Sequence, residues 1–190
     1  EFATGDRIAR PEGGGGGLGQ LMVARLKSMG VVVATTASRK PKQDAARSAG
    51  ADLVIDYTAC DFAEVVKEHT PEGVHCVFDG IGKPTFLKGL SCLRKKGTMV
   101  LYGNAGGAHP DPIAPTLLTQ SGSLVLMRPA LYDYVATQDE FADRLDEVFR
   151  WYEAGDIRLN HLTVAPLPEV APLHEALLGR DVVGKSLLRI

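Results

Sequence analysis

The sequence has no apolar run close to the ~20 residues that a membrane-spanning helix needs. It also has no excess of positive charge, because the formal net charge is -2 at pH 7. That balance gives no electrostatic support for nucleic acid as the main partner. Residues 1–6 lack the basic and apolar regions of a signal peptide. With 45% apolar residues, the chain is predicted to fold around a core of its own.

Cysteine is scarce, and its spacing excludes the usual zinc clusters. The three cysteines are Cys60, Cys76 and Cys92, and no two of them have C-x-x-C spacing. We therefore expect no metal site and interpret the three as small, partly buried apolar residues. An odd number of separated cysteines is typical of a reducing compartment, so we expect a cytoplasmic protein.

No cluster of candidate catalytic residues is visible either. The five histidines are scattered along the chain, and each is more typical of a structural or surface residue than of a catalytic one. The chain begins at Glu1 rather than at a methionine, and its first motif starts at Gly13. We therefore expect a piece of a longer protein.

Glycine, in contrast, is concentrated in one place. Residues 13–19, here called the glycine loop, consist of five glycines, then Leu18 and Gly19. A helical pattern over 20–29 and a β-branched run over 31–36 follow, which is the order of a dinucleotide-binding βαβ unit. Five glycines could instead form a flexible linker. Residues 7–12, which should be an apolar central strand, are mostly polar.

Strand and helix patterns alternate through the rest of the chain. Strands are predicted over 31–36, 53–55, 74–78, 97–102, 123–127, 162–164 and 185–189, and helices over 20–29, 41–50, 62–69, 85–93, 138–154 and 169–178. This alternation predicts an α/β fold of the Rossmann type. The expected architecture is doubly wound, with a mainly parallel six-stranded sheet and helices on both faces.

Ligands of such sheets bind beyond the carboxyl ends of the strands. The loops expected there are rich in glycine or small polar residues: 16–19, 37–42, 56–58, 79–82 and 103–107. Tight turns between strand and helix need glycine anyway, which would explain part of this pattern.

The turn after the second predicted strand distinguishes the two dinucleotides. NAD sites usually place an acid there to bind the ribose hydroxyls. Residues 36–42 contain no acid and three cations, Arg39, Lys40 and Lys42. A 2′-phosphate carries nearly two negative charges, so this turn favours NADP, although a solvated basic loop would look the same.

Several short motifs recur in an order known from one family. They are GGLG at 16–19, AGA at 49–51 before VIDY at 54–57, VFDGIG at 77–82, LRKKG at 93–97, YGNAGG at 102–107, RP at 128–129 and GK at 184–185. From about Gly14 onward the chain resembles the cofactor domain of the quinone oxidoreductase (zeta-crystallin-like) branch of the medium-chain dehydrogenase/reductase superfamily.

The resemblance implies NADP as the cofactor and assigns its contacts by matching positions. The implied cofactor-binding residues are Gly16, Gly17, Leu18 and Gly19 for the pyrophosphate, Ser38, Lys42 and Tyr57 for the 2′-phosphate and adenosine, Gly103, Asn104 and Ala105 beside the nicotinamide, and Arg180 and Lys185 on the returning C-terminal segment. The resemblance supplies no catalytic residue for this chain.

The resemblance also implies an organisation and an activity. Residues 1–150 would be the NADP-binding Rossmann domain, and 151–190 would return toward a GroES-like domain that is mostly absent. The implied activity is zinc-independent hydride transfer from NADPH to a quinone or other electron-poor enone. A homodimer through the sheet edge is implied as well, and the chain alone is expected to be nearly inactive.

Other functions remain open at this stage. An enoyl-thioester or alkenal reductase of the same superfamily would have the same motifs. A non-catalytic NADP- or RNA-binding module is a second alternative. A methyltransferase is a third, although such enzymes place an acid after the second strand to bind the ribose.

Overall fold

Strands and helices alternate along the computed structural model, which describes residues 8–179 and 181–190. The strands are β1 Ile8–Pro11, β2 Val32–Thr36, β3 Leu53–Ile55, β4 Val74–Asp79, β5 Leu93–Leu101, β6 Val125–Met127, β7 Leu162–Pro166 and β8 Lys185–Arg189. The helices are α1 Gly17–Ser28, α2 Lys40–Ser48, α3 Phe62–His69, α4 Phe86–Ser91, α5 Thr116–Gln120, α6 Gln138–Glu153 and α7 Val170–Leu178. None of the helices in these residues is long and apolar enough to cross a bilayer.

The main sheet has six strands in the order β3-β2-β1-β4-β5-β6, and every neighbouring pair is parallel. The chain runs outward from β1 to β3 and then crosses back to β4 on the other side of β1. A crevice for a ligand forms at such a reversal, beyond the carboxyl ends of the strands. β7 and β8 form a separate two-stranded sheet.

Alternating side chains of the sheet build two apolar cores. Val77 of β4 belongs to a core with Phe62 of α3 and Leu90 of α4. Its neighbours Cys76 and Phe78 pack on the opposite face, in the core that contains Val23 of α1. Because successive strand residues point to opposite faces, helices cover both sides of the sheet. The predicted fold class is confirmed.

Local signals set most of the helix boundaries. Asp61 caps α3 as expected, since its Oδ1 accepts a hydrogen bond from the Ala63 backbone N–H at 2.9 Å. Thr137 and Glu140 form a reciprocal capping box at the start of α6. α1 begins at Gly17, three residues before the predicted start, so part of the glycine loop is already helical.

β1 is a central strand even though its sequence is polar. Arg10 is fully buried and Glu12 is 4% exposed, and their side chains form an ion pair of 2.8 Å. The Arg10 guanidinium also lies 4.2 Å from the centre of the Phe62 ring. The expectation that a central strand here must be apolar is therefore wrong, because the two charges neutralise each other inside the protein.

The apolar stripe of α6 is largely uncovered in the described part of the chain. The residues of this stripe are between 40% and 53% exposed: Phe141, Leu145, Val148, Phe149 and Tyr152. The helix is tied to α1 near its C-terminal end, where Arg25 lies 4.5 Å from the Trp151 ring and pairs with Asp156 at 2.8 Å. The stripe exists as predicted, but none of its residues belongs to either apolar core of residues 8–179 and 181–190.

The core makes a prediction about stability. Met99 in β5 is fully buried, and Met29 after α1 is 59% exposed. We expect Met99→Ala to lower the free energy of unfolding by ~2–5 kcal/mol, through lost burial and a residual cavity. We expect Met29→Ala to change it by less than ~0.5 kcal/mol. Urea unfolding followed by circular dichroism measures both, and equal losses would contradict the position of β5 in the core.

Candidate functional site

An open cavity of about 440 Å³ lies at the carboxyl ends of the central strands. It joins the glycine loop to the turns that follow β2, β3, β4 and β5. Its lining residues are Glu12, Gly13, Gly15, Gly16, Thr36, Ala37, Ser38, Lys42, Tyr57, Cys60, Asp61, Phe62, Ile81, Pro84, Thr85, Lys88, Ala105 and Gly106. The cavity lies where the sheet order reverses, as expected for a nucleotide site in this topology.

The glycine loop is held against the end of β2. The Gly14 N–H donates to the Thr36 carbonyl at 3.1 Å and to Thr35 Oγ1 at 3.1 Å. The Gly13 N–H donates to Thr36 Oγ1 at 3.3 Å. These hydrogen bonds disfavour the alternative of a flexible linker, whose N–H groups would face solvent.

The first three glycines of the loop each have a structural reason. Gly13 has a φ of 67°, in the region that favours glycine. A Cβ on Gly14 would come within 2.5 Å of Thr35 Oγ1, and one on Gly15 would collide with the Lys42 backbone. Residues 13–15 exceed the usual fingerprint, but they let the loop pack closely on β2 and α2.

The loop leads directly into the N-terminus of α1. Gly16 is the N-cap residue, and no acidic side chain lies in the first turn of this 12-residue helix. The first N–H groups of a helix have no partner within it, and they carry a partial positive charge. Gly16 also lines the cavity. This end of the cavity can therefore hold an anion such as a pyrophosphate.

Lys42, Ser38 and Tyr57 line the neighbouring part of the cavity, beyond β2 and β3. The other two cations of the basic turn have carboxylate partners outside it. Arg39 pairs with Asp181 at 2.8 Å, and Lys40 pairs with Asp44 at 2.8 Å. Lys42 is thus the cation of this turn that reaches the cavity.

Asp61 and Lys88 line the wall near α3 and α4. The Lys88 ammonium lies 2.7 Å from Asp61 Oδ2, and this charged hydrogen bond lowers the pKa of the carboxyl. Cys60 precedes Asp61 and is exposed. The interpretation of the cysteines as partly buried holds for Cys76 and Cys92, but it is wrong for Cys60.

The turns after β4 and β5 interlock at the far side of the cavity. The Ala105 N–H donates to the Gly80 carbonyl at 2.9 Å, and the Gly106 N–H donates to the Ile81 carbonyl at 2.8 Å. Buried Asp79 accepts hydrogen bonds from the Ile81 N–H at 2.8 Å and from Thr85 Oγ1 at 2.8 Å. The two glycine-containing turns therefore form one rigid wall.

Tyr102 lies behind this wall. Burial, with a smaller effect of the nearby Asp79 carboxylate, raises its pKa to about 12. A Cβ on Gly80 would come within 2.7 Å of the Tyr102 ring, so the tyrosine packs directly against the turn after β4. Its phenol stays protonated at neutral pH.

The structure brings five of the predicted site residues to the cavity wall and leaves others away from it. Gly16, Ser38, Lys42, Tyr57 and Ala105 line the cavity. The predicted residues that are not among the lining are Gly17, Leu18, Gly19, Gly103, Asn104 and Lys185. Arg180 lies outside the described residues.

Those six residues have other contacts in the structure. A Cβ on Gly103 would come within 2.6 Å of the Gly80 carbonyl oxygen, so Gly103 supports the far wall. The Asn104 amide oxygen accepts from Arg128 Nη2 at 3.0 Å and from His109 Nδ1 at 3.0 Å, in the orientation that satisfies the hydrogen bonds. Leu18 faces an apolar recess between α1 and α6.

The C-terminal segment returns to the glycine loop, as expected. Gly16 pairs with Gly184 in a short parallel bridge, and a Cβ on Gly17 would come within 2.8 Å of Lys185 Cδ. Gly19 packs tightly against the Gly13 carbonyl. Gly17, Gly19 and Lys185 thus stabilise the loop rather than form the cavity wall.

Sequence reasoning missed several lining residues. Glu12, Thr36, Asp61, Lys88 and Cys60 reach the cavity through tertiary packing. Among these residues, the sequence gave a signal only for Glu12. A charge in a central strand needs a buried partner of opposite charge, and residues 10–12 contain two charges. Among residues 8–179 and 181–190, no three His, Cys, Asp or Glu side chains lie together as a metal site.

Comparison with known proteins identifies the family of this chain. Residues 17–149 match the zinc-binding dehydrogenase family. The chain is 38% identical over 175 residues to a 2-haloacrylate reductase of Burkholderia sp, covering 91% of this chain and 52% of that protein. It is 34% identical over 176 residues to quinone oxidoreductase 1 of Escherichia coli K12, covering 91% and 54%.

Solved structures agree with this assignment. The crystal structure of Escherichia coli quinone oxidoreductase complexed with NADPH matches with a TM-score of 0.88 at 31% identity, over 97% of this chain and 57% of that one. A mycobacterial protein complexed with NADPH matches with a TM-score of 0.88 at 34% identity, over 99% and 58%.

The chain spans about half the length of the curated relatives it matches. Fold, motif order and sequence identity all point to the same half of these proteins. The chain belongs to the zinc-binding dehydrogenase family and corresponds to the cofactor-binding portion of the quinone oxidoreductase branch of the medium-chain dehydrogenase/reductase superfamily.

Proposed function

We propose that this chain is the NADP-binding part of an NADPH-dependent oxidoreductase. The reaction would be hydride transfer from NADPH to a quinone or another electron-poor enone. The observation that carries the proposal is a single cavity that joins the N-terminus of α1 to Ser38, Lys42 and Tyr57. Such a cavity offers one anion site for a pyrophosphate and a second for a 2′-phosphate.

The residues present fit the cofactor. The pyrophosphate would lie against Gly16 and the first turn of α1, where the close packing of Gly14 on Thr35 and of Gly15 on Lys42 keeps the loop against β2 and α2. Lys42 would supply charge to the 2′-phosphate, while Ser38 and Tyr57 would supply hydroxyl donors. Gly17, Leu18, Gly19 and Lys185 would support the loop.

The acids in the cavity do not oppose the binding of an anion. Glu12 is paired with Arg10 at 2.8 Å, and Asp61 is paired with Lys88 at 2.7 Å. Each carboxylate is thus neutralised before the cofactor arrives. Lys42, which lines the cavity, would then distinguish a 2′-phosphate from a ribose hydroxyl.

The nicotinamide would lie toward the turns after β4 and β5. Gly103, Asn104 and Ala105 belong to this region, and Arg180 is assigned to the cofactor by the resemblance alone. NADPH supplies the hydride, and the chain's own residues bind and orient it. No acid or base of this chain is assigned to proton transfer.

The chain would supply only part of the substrate cleft. We infer that residues 1–150 are the cofactor domain, and that 151–190 return toward a GroES-like domain of the longer protein. The exposed stripe of α6 would be covered by that remaining part, since relatives are about twice as long. The chain alone would then have little or no reductase activity.

A homodimer through the sheet edge and a cytoplasmic location complete the proposal. β6 is the edge strand, and its Val125 and Met127 are 53% and 39% exposed. An unpaired apolar edge strand is a liability that pairing with a second copy removes. The three free thiols suit a reducing compartment.

A second candidate substrate class has specific support. The similarity to 2-haloacrylate reductase favours an electron-poor alkene conjugated to a carboxylate. An enoyl thioester or an alkenal offers the same conjugated acceptor. A non-catalytic NADP- or RNA-binding module and a methyltransferase remain as competitors, without an observation that favours them.

Side-by-side calorimetric titration of this chain tests the cofactor assignment. We expect NADPH to bind, NADH to bind at least about tenfold more weakly because it lacks the paired 2′-phosphate, and S-adenosylmethionine not to bind. Binding of S-adenosylmethionine without NADPH would overturn the proposal.

The basic turn gives a sharper prediction. Lys42→Ala should weaken NADPH binding by about tenfold or more, because a charge-assisted contact to the 2′-phosphate is lost. The affinity for NADH should change by less than about twofold, because NADH has a hydroxyl in place of the 2′-phosphate that Lys42 would contact. Calorimetry measures both dissociation constants.

Lys40→Ala is the matched control for this variant. Lys40 lies two residues away and is held outside the cavity by Asp44 at 2.8 Å. It should leave both affinities unchanged. Equal losses of NADPH and NADH affinity in Lys42→Ala would contradict the assignment of Lys42 to the 2′-phosphate.

Cys60 offers a footprint of the bound cofactor. We expect iodoacetamide at pH 8 to modify Cys60 first, because it is exposed on the cavity wall. Burial raises the pKa of Cys76 to about 11 and also raises that of Cys92, so both should react slowly. Saturating NADPH should slow the alkylation of Cys60, and mass spectrometry measures the rate. An unchanged rate would contradict the placement of the adenosine in the part of the cavity lined by Ser38, Lys42 and Tyr57.

A further inference from the structure

We propose that Arg10 and Glu12 are positioning residues that fix the start of the glycine loop through the hydroxyl of Thr36. The cofactor consequence rests on the proposed function, because it assumes that this loop holds the pyrophosphate. The local consequence, a Gly13 N–H held by a hydrogen bond, does not depend on cofactor binding.

The Thr36 hydroxyl has one proton to donate. That proton goes to Glu12 Oε2 at 2.7 Å. The hydroxyl oxygen is then left as an acceptor toward the Gly13 N–H, which lies 3.3 Å away. Glu12 therefore determines which way the hydroxyl turns, and so whether Gly13 meets an acceptor.

Arg10 holds the carboxylate in place. Its Nη1 lies 2.8 Å from Glu12 Oε1, and its guanidinium is fixed over Phe62. Without this partner a buried Glu12 carboxylate would lose its compensating charge and would move away from Thr36.

The pair is not explained by stability alone. Buried ion pairs often give no more stability than apolar residues of similar volume. Within the described chain, all three guanidinium nitrogens of Arg10 and the Oε1 atom of Glu12 are buried without a hydrogen-bond partner, so charge attraction alone joins the pair across 2.8 Å and its desolvation cost is high. A central strand that keeps such a pair gains something other than packing, and the contact with Thr36 is what the pair provides.

Gly13 in turn determines how the chain enters α1. Its carbonyl accepts from the Gly16 N–H at 2.9 Å, and Gly19 packs against the same carbonyl. The Gly13 N–H and the Gly13 carbonyl lie in successive peptide planes that meet at the Gly13 Cα, where φ is 67°. Holding the N–H therefore fixes this φ, and with it the angle at which the chain enters the first turn of the helix. Because the pyrophosphate is common to both dinucleotides, a looser Gly13 should weaken NADPH and NADH alike.

Gly14 is a built-in control. Its N–H is held by the Thr36 carbonyl and by Thr35 Oγ1, whose own proton goes to the Pro11 carbonyl at 2.5 Å. Neither contact involves Arg10 or Glu12. Two adjacent glycine amides are thus held by independent sets of partners.

The test uses the double variant Arg10→Leu/Glu12→Ala, which replaces the pair by the apolar residues typical of a central strand. Amide hydrogen exchange by NMR in the free chain should show Gly13 exchanging about tenfold faster and Gly14 unchanged. The melting temperature should stay the same or rise. Unchanged Gly13 exchange would overturn the proposal.

Thr36→Val supplies a second variant that keeps the ion pair and removes only the hydroxyl. It should reproduce the faster Gly13 exchange, and adding it to the double variant should produce no further increase, since all three residues act through one hydrogen bond. Additive increases would overturn the proposal. If the double variant does not fold, the Thr36→Val exchange decides, and an unchanged Gly13 rate again overturns it.

Calorimetry with the same variants tests the consequence for the cofactor. NADPH and NADH affinities should fall together by about three- to tenfold, the effect expected for one lost hydrogen bond. A loss confined to NADPH would overturn the assigned role and place the effect at the 2′-phosphate. If the unaltered chain binds neither cofactor, the proposed function fails, and the Gly13 exchange still decides the local proposal.

Discussion

The rest of the site depends on the hydrogen bonds that tie the glycine loop to the end of β2. Gly14 donates to both Thr35 and Thr36, so the turn from β1 into α1 lies low across the neighbouring strand. Only residues without a Cβ can come this close: Gly14 touches Thr35, and Gly15 touches the backbone of Lys42. The proposed pyrophosphate loop and the basic turn therefore form one packed unit, and moving one would move the other.

Much of the fold was predictable because its signals are local. Asp61 caps α3, and Phe86 and Leu90, four residues apart on the predicted face, form the buried side of α4, although Leu87 of that face is 59% exposed. β1 was not predictable in the same way. Nothing within residues 7–12 shows that Arg10 will neutralise Glu12 and rest on Phe62, which lies 52 residues further along the chain than Arg10. A central strand was recognisable only from the order of elements around it.

The candidate site was predictable to the extent that topology fixes it. The carboxyl ends of parallel strands meet at one edge, so Ser38, Lys42, Tyr57 and Ala105 were expected together, and they share one cavity. Loop membership does not fix side-chain direction, however. Asn104 turns toward Arg128 and His109, while Cys60 and Lys88 reach the wall through the packing of α3 and α4. Such contacts depend on distant residues and leave no pattern in the sequence.

The charges of the cavity follow one rule that the sequence could not reveal. Two carboxylates face the proposed anion site, and an unpaired carboxylate there would repel a phosphate at close range. Each has its own cation: Arg10 for Glu12 and Lys88 for Asp61. Arg39 and Lys40 are paired with acids outside the cavity, which keeps their charges away from it. Lys42 lines the cavity beside the turn after β2, so a preference for a 2′-phosphate would depend on this one lysine, whose backbone packs against Gly15.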